Sequence, residues 1–234
     1  MPDVVKSLIA GFALLLVAYV IVAYVLMPAV WKRYVRRHPA LEGVPGLTHT
    51  AEGIPGDPLN IALIGTEAEV GAAMRAATWS TADRLSPESD LRIAADTVLA
   101  RPYPDAPVSN LYLWGRKEDL AFEQTVGSGP RRRHHVRLWK GDRTGPDGRP
   151  VWVGAATFDS GVGFSRTTGQ ITHHIAPDID SERDRVVATL QAAGRLAEVI
   201  PVPDFQNPRD GANGGGDPWH TDGTLLMAVI AAPG

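Results

Sequence analysis

The run from Leu8 to Trp31 holds 24 residues without a charged side chain, long enough as a helix to cross the apolar core of a bilayer. A cleaved secretory signal has an apolar region of roughly 7–15 residues, which this run exceeds. It closes on Met27-Pro28-Ala29-Val30-Trp31-Lys32-Arg33-Tyr34, where aromatic rings and cations fit an interfacial belt better than a peptidase site. The chain therefore reads as a single-pass membrane protein. Lys32, Arg33, Arg36 and Arg37 follow the run and only Lys6 precedes it, a bias that predicts a cytoplasmic soluble domain.

That anchor and its basic flank occupy residues 1–37, and residues 38–57, rich in Pro and Gly, read as a tether. Residues 58–234 are then the soluble domain, of ordinary size for one core. The chain has 23 basic and 26 acidic residues; residues 1–37 hold five and one of these, leaving 18 against 25, a net −7. A net acidic domain argues against nucleic acid as a partner. There is no cysteine, so neither a thiol nucleophile nor a disulfide framework enters.

Asn60-Ile61-Ala62-Leu63-Ile64-Gly65 reads as a strand, and Thr66 to Glu69 has capping-box spacing for a helix through Trp79. Ser86-Pro87-Glu88 opens a second helix whose apolar stripe is Leu91, Ala94, Ala95 and Leu99. Strands are predicted over 111–114, 120–124, 133–139, 151–158 and 170–175, with Pro146-Asp147-Gly148 turning between the third and fourth. A helix starting over 181–184 and strands at 196–202 and 224–230 complete the domain. This order predicts α+β, a mostly antiparallel sheet with flanking helices behind one transmembrane helix.

Along Arg133-His134-His135-Val136-Arg137-Leu138-Trp139 the strand period puts Arg133, His135, Arg137 and Trp139 on one side, with His134, Val136 and Leu138 facing the core. Thr172 and His174 likewise share one side of a later strand, and His173 the other. If these strands meet in one sheet, Arg133, His135, Arg137 and His174 form a receptor for an anionic ligand, since Arg offers a planar fork and His a switchable donor. The plainer reading stays open beside it: a solvated polar face, with His134 and His173 as hydrogen-bonded core histidines.

A divalent metal would find ligands in His174, Asp178 and Asp159, although Asp178 equally suits a turn before a helix. The loop from Asn213 to Gly223 offers Asp217, Trp219, His220 and Asp222 as ligand contacts, or is simply a turn before the last strand. The sequence lacks a G-x-S-x-G elbow, H-E-x-x-H, and G-x-G-x-x-G after the first strand, which withdraws support from ordinary hydrolase and dinucleotide readings.

Leu113-Trp114-Gly115-Arg116 with Asp119 to Phe122, Arg133 to Arg137, Trp152 to Thr157, Thr172 to Ile175, Glu182-Arg183-Asp184, and Gly215-Gly216-Asp217 with Thr221-Asp222-Gly223 resemble, in this order, the LssY carboxyl-terminal domain family. The resemblance spans roughly Pro58 to Ile230 and brings no established activity. Members that carry the domain behind membrane segments of the DedA and lipid-phosphatase types imply work near phospholipid head groups. Three functions are consequently expected, in descending order. The first is a membrane-anchored binder of an anionic ligand or phospholipid head group. The second is a non-catalytic accessory subunit of an integral membrane complex. The third is a metal-dependent hydrolase, the only one of the three that requires a cofactor.

Overall fold

A computed structural model of the chain describes residues 2–37, 46–82, 110–126 and 132–232. The helix expected from Ser86 lies outside them. The apolar run is helical throughout: α1 (Pro2–Ile21), a five-residue π turn (Val22–Leu26) and α2 (Met27–Arg37) follow without a break. Its stretch Val4–Arg33 is 30 residues long with a mean hydropathy of 2.7 over its most apolar window, long and apolar enough to cross a membrane. Leu8, Phe12, Leu14 and Leu15 lie bare.

Within the stretch expected to be a tether, residues 46–57 carry two short strands, β1 (Leu47–His49) and most of β2 (Pro55–Pro58). Pro, Gly and Asp leave β2 without apolar periodicity, and its pairing with β1 rather than its own pattern makes it a strand. The next elements are β3 (Ile61–Ile64), α3 (Glu67–Ala76) and β4 (Ser80–Thr81). The capping box is formed, Thr66 accepting from the Glu69 amide and Glu69 from the Thr66 amide.

After the undescribed residues 83–109 come β5 (Tyr112–Leu113), β6 (Arg116–Lys117), β7 (Leu120–Thr125), β8 (Arg133–Thr144), β9 (Pro150–Phe164) and β10 (Ile171–Ile175). Then follow α4 (Asp180–Ala192), β11 (Leu196–Val202), β12 (Asp210–Ala212), β13 (Pro218–His220) and β14 (Leu225–Ile230). Eight strands make the main sheet in the order β11-β14-β3-β9-β8-β7-β4, with β10 added along the far half of β9. Among the described strands of this sheet only β14 and β3 pair in parallel, so the domain is α+β with a mostly antiparallel sheet.

Both faces of this sheet are covered. On one, Val136, Leu138, Trp152 and Phe122 pack against Val70 and Met74 of α3 and Val186 and Leu190 of α4. On the other, Trp139 and Ala155 meet Leu111 and Leu113 at the small sheet β2-β1-β5-β6. The alternation in β8 thus points Leu138 to the helices and Trp139 to the second sheet.

Candidate functional site

Arg133, His135 and Arg137 share the side of β8 that carries Trp139, and the second sheet that packs on Trp139 also reaches Arg137. They are 9%, 3% and 4% exposed, so this polar face is interior rather than solvated. Burying two guanidiniums demands partners. Arg133 donates from Nε to Asp159 at 3.0 Å and from Nη1 to Glu123 at 2.9 Å. Arg137 donates from Nη1 to Asp57 of β2 at 3.1 Å. The two sheets are therefore joined across their interface by an ion pair, and Thr48 of β1 donates its hydroxyl to the Asp57 carbonyl.

The fourth member of the cluster is His173. Ile175 stands opposite Asp159, so His173, two residues earlier, shares the face of Asp159 and Arg133. A register shift falls between His174 and Ile175. His174 instead stands at the rim, its side chain 28% exposed, with Nδ1 2.6 Å from Asp217. Asp217 also accepts from the Ile175 amide, and Asn213 stands 3.5 Å from Asp57. The loop before β13 thus closes the end of the cluster.

Electrostatics keep both inner imidazoles neutral. Burial pushes His135 well below its usual range, helped by Arg137, Arg133 and His173. Burial also pulls His173 down to about 4, again with Arg133, Arg137 and His174 opposing its charge. Burial pushes Asp57 up against the opposing pull of Arg137, with Asp159 and Asp217 adding repulsion. Asp159 is likewise raised by burial, opposed by Arg133 and Arg137.

Three ring nitrogens in this cluster are buried without a partner: Nδ1 of His135 and both nitrogens of His173. A buried polar atom left unpaired costs about 1–3 kcal/mol, so the cluster is not optimised for stability alone. A neutral imidazole offers one donor and one acceptor. Two neutral imidazoles with unpaired nitrogens thus stand in one cluster with two guanidiniums that are already engaged with carboxylates.

Of the residues singled out from sequence, Arg133, His135 and Arg137 come together, and His174 borders them. His174, Asp178 and Asp159 do not converge as a ligand set, because each has other work. His174 holds Asp217, Asp159 holds Arg133, and Asp178 accepts from the Asp180 and Ser181 amides and the Ser181 hydroxyl at the start of α4. No group of three or more His, Asp or Glu residues able to hold a metal occurs among the described residues.

In the loop, Asp217 belongs to the cluster and Trp219 is buried with Ile175, Ile179 and Leu47. His220 is exposed, and Asp222 pairs with Arg183 at 3.0 Å. On the opposite face of the sheet His134 Nδ1 lies 2.8 Å from Glu182 of α4.

Sequence reasoning missed Asp57, Glu123 and Asn213. No local signal marks Asp57, whose cation stands 80 positions away. Glu123 was findable, since pairing β7 with β8 sets it opposite His135.

The family model described as LssY C-terminus matches residues 41–225, most of the chain. The match starts upstream of β1, so the second sheet and Asp57 lie within it. No curated protein and no solved structure matches the chain.

Proposed function

This chain belongs to the LssY C-terminus family, and from that premise we propose that its domain works at a membrane surface by receiving an anionic group at the buried cluster. The phosphate of a phospholipid head group is the nearest candidate. The observation that carries the reading is the set of unpartnered nitrogens on His135 and His173, held between Arg133 and Arg137.

An anion placed there gives each ring a reason to take up a proton, since opposite charge offsets the burial that keeps it neutral. Asp57 and Asp159, both raised by burial, protonate more readily than free carboxylates and so withdraw negative charge as the ligand arrives. Binding is thereby coupled to proton uptake, and affinity rises as pH falls. The route in passes His174, the member at the rim. The excess of basic residues after the helix supports a cytoplasmic side for this domain.

The test is calorimetric titration of the full-length chain in phosphatidylcholine nanodiscs with inorganic phosphate at pH 6 and pH 8. Tighter binding at pH 6, lost in His135→Ala and Arg137→Ala, is expected. Equal heats in wild type and both variants would overturn the reading. So would native mass spectrometry showing stoichiometric protein partners and no bound lipid or anion, an outcome that favours an accessory subunit.

A further inference from the structure

We propose that the tip of the β9–β10 hairpin is a second membrane contact, with Phe164 and Val162 entering the outer apolar layer of the bilayer beside the anchoring helix. This rests on the reading of that helix as membrane-spanning and is independent of what the buried cluster binds. Phe164 is 65% exposed and Val162 37%. They share one side of the strand. The Phe164 ring meets Tyr19 of α1 edge-on, with centroids 6.2 Å apart, so the apolar tip is continuous with the apolar helix.

The backbone of the turn carries the argument further. Every amide from Ser165 to Ile171 has a partner inside the protein. Ser165 donates to the Gln170 carbonyl, Arg166 to the Gly215 carbonyl and Gly169 to the Ser165 carbonyl. Thr167 and Thr168 donate to the Ser165 hydroxyl and Gln170 to the Thr168 hydroxyl. The Ile171 amide donates to the Tyr24 hydroxyl at 3.1 Å, and the Tyr19 hydroxyl donates to the Gly169 carbonyl at 2.8 Å.

A turn in water leaves such groups to solvent, whereas one in an apolar layer must satisfy them internally. Of the groups that the hairpin does not satisfy itself, the Arg166 amide is met by Gly215 of the neighbouring loop, and the Ile171 amide and the Gly169 carbonyl by the anchor helix. Tyr24 lies within the π turn Val22–Leu26 and Tyr19 in α1 just before it.

Depth is consistent with this. Tyr24 and Tyr19 stand 33 − 24 = 9 and 33 − 19 = 14 positions before Arg33, roughly 14 and 21 Å along the helix axis. A 30-residue span is about 45 Å long, longer than a core of about 30 Å, and such a helix tilts. With Lys32 and Arg33 at the outside of a head-group layer about 6 Å thick and a tilt of about 40°, Tyr24 and Tyr19 lie roughly 4 and 10 Å below the apolar boundary, which leaves the hairpin tip short of the bilayer midplane. Arg166, exposed in the turn, has the length to keep its charge among head groups.

Because the chain has no cysteine, single substitutions place one fluorophore at a chosen depth. Full-length Phe164→Cys, Val162→Cys, Leu14→Cys and Asp142→Cys, each labelled with an environment-sensitive dye, go into vesicles of phosphatidylcholine with a minority of phosphatidylglycerol. Leu14 reports the anchor, and Asp142 an exposed site toward the other end of the sheet. Quenching of Phe164→Cys and Val162→Cys by brominated acyl chains, with iodide quenching several-fold weaker than at Asp142→Cys, is the expected result. If Leu14→Cys is quenched by brominated chains while Phe164→Cys is as open to iodide as Asp142→Cys, the hairpin proposal falls and the anchor stands. Iodide access at Leu14→Cys would overturn both.

Discussion

Replacing Arg137 with Met removes the cation that joins the two sheets and leaves the Asp57 carboxyl behind. Both members are interior, with side chains 4% and 9% exposed and a contact of 3.1 Å. Breaking such a pair from one side costs about 3–5 kcal/mol, and for a chain of this size about 2–4 °C of melting temperature accompanies each kcal/mol. A drop of roughly 6–20 °C is expected on those scales. The double variant Asp57→Asn, Arg137→Met leaves no orphaned charge, so it recovers a substantial part of the loss although it carries more changes.

The loss also depends on pH. Burial raises Asp57 and Arg137 opposes that rise, so without Arg137 the folded-state value climbs further above the unfolded one. A raised acid stabilises the folded state relative to its charged form only while it keeps its proton, and that contribution is lost as pH rises through the folded value. The Arg137→Met deficit is therefore larger at pH 8 than at pH 5. Denaturation of the full chain in detergent, followed by the fluorescence of buried Trp139 and Trp152, gives all four corners of the cycle. If the double variant is as unstable as Arg137→Met alone and the deficit ignores pH, the pair is not coupled and the two sheets are held together by their apolar contacts.

Two further substitutions probe the opposite face and the sheet. Glu182, pushed up to about 7 chiefly by burial, is disfavoured as a carboxylate in the folded state, a penalty absent below about pH 4.5 and complete above 7. Glu182→Gln has no such penalty and keeps a polar partner for His134, so melting scans should show a gain on the order of 1–3 kcal/mol at pH 8 and little change at pH 5; a loss at pH 8 would refute it. Gly154→Ala puts a methyl 2.6 Å from both the Arg137 carbonyl and the Leu138 side chain, in the middle of a paired region. Overpacking there is expected to cost about 1–3 kcal/mol or more, read as a lower denaturation midpoint at unchanged slope.

What sequence alone could show followed what is local in the physics. The capping box at Thr66 and the faces of β8 follow from spacing over a few residues, and both stand in the structure. Which of those faces is interior is not local. Arg133, His135 and Arg137 look like a solvent side because their partners are remote in sequence; the second sheet, which supplies Asp57 to Arg137, has strands too short, and in β2 too rich in Pro and Gly, to carry a pattern.

Register was the second blind spot. A one-residue slip exchanges the faces of a strand, and the irregularity before Ile175 is not written in Thr172-His173-His174-Ile175. It decides that His173, whose neighbours on the sequence read as core, joins the guanidiniums with two unpaired nitrogens. The features hardest to read from the chain are thus the same ones that leave polar atoms unsatisfied. Apolar side chains at His135 and His173 would carry no such cost; in the proposed reading an anionic ligand offsets it, whereas the Arg137→Met cycle measures the separate cost of joining the two sheets.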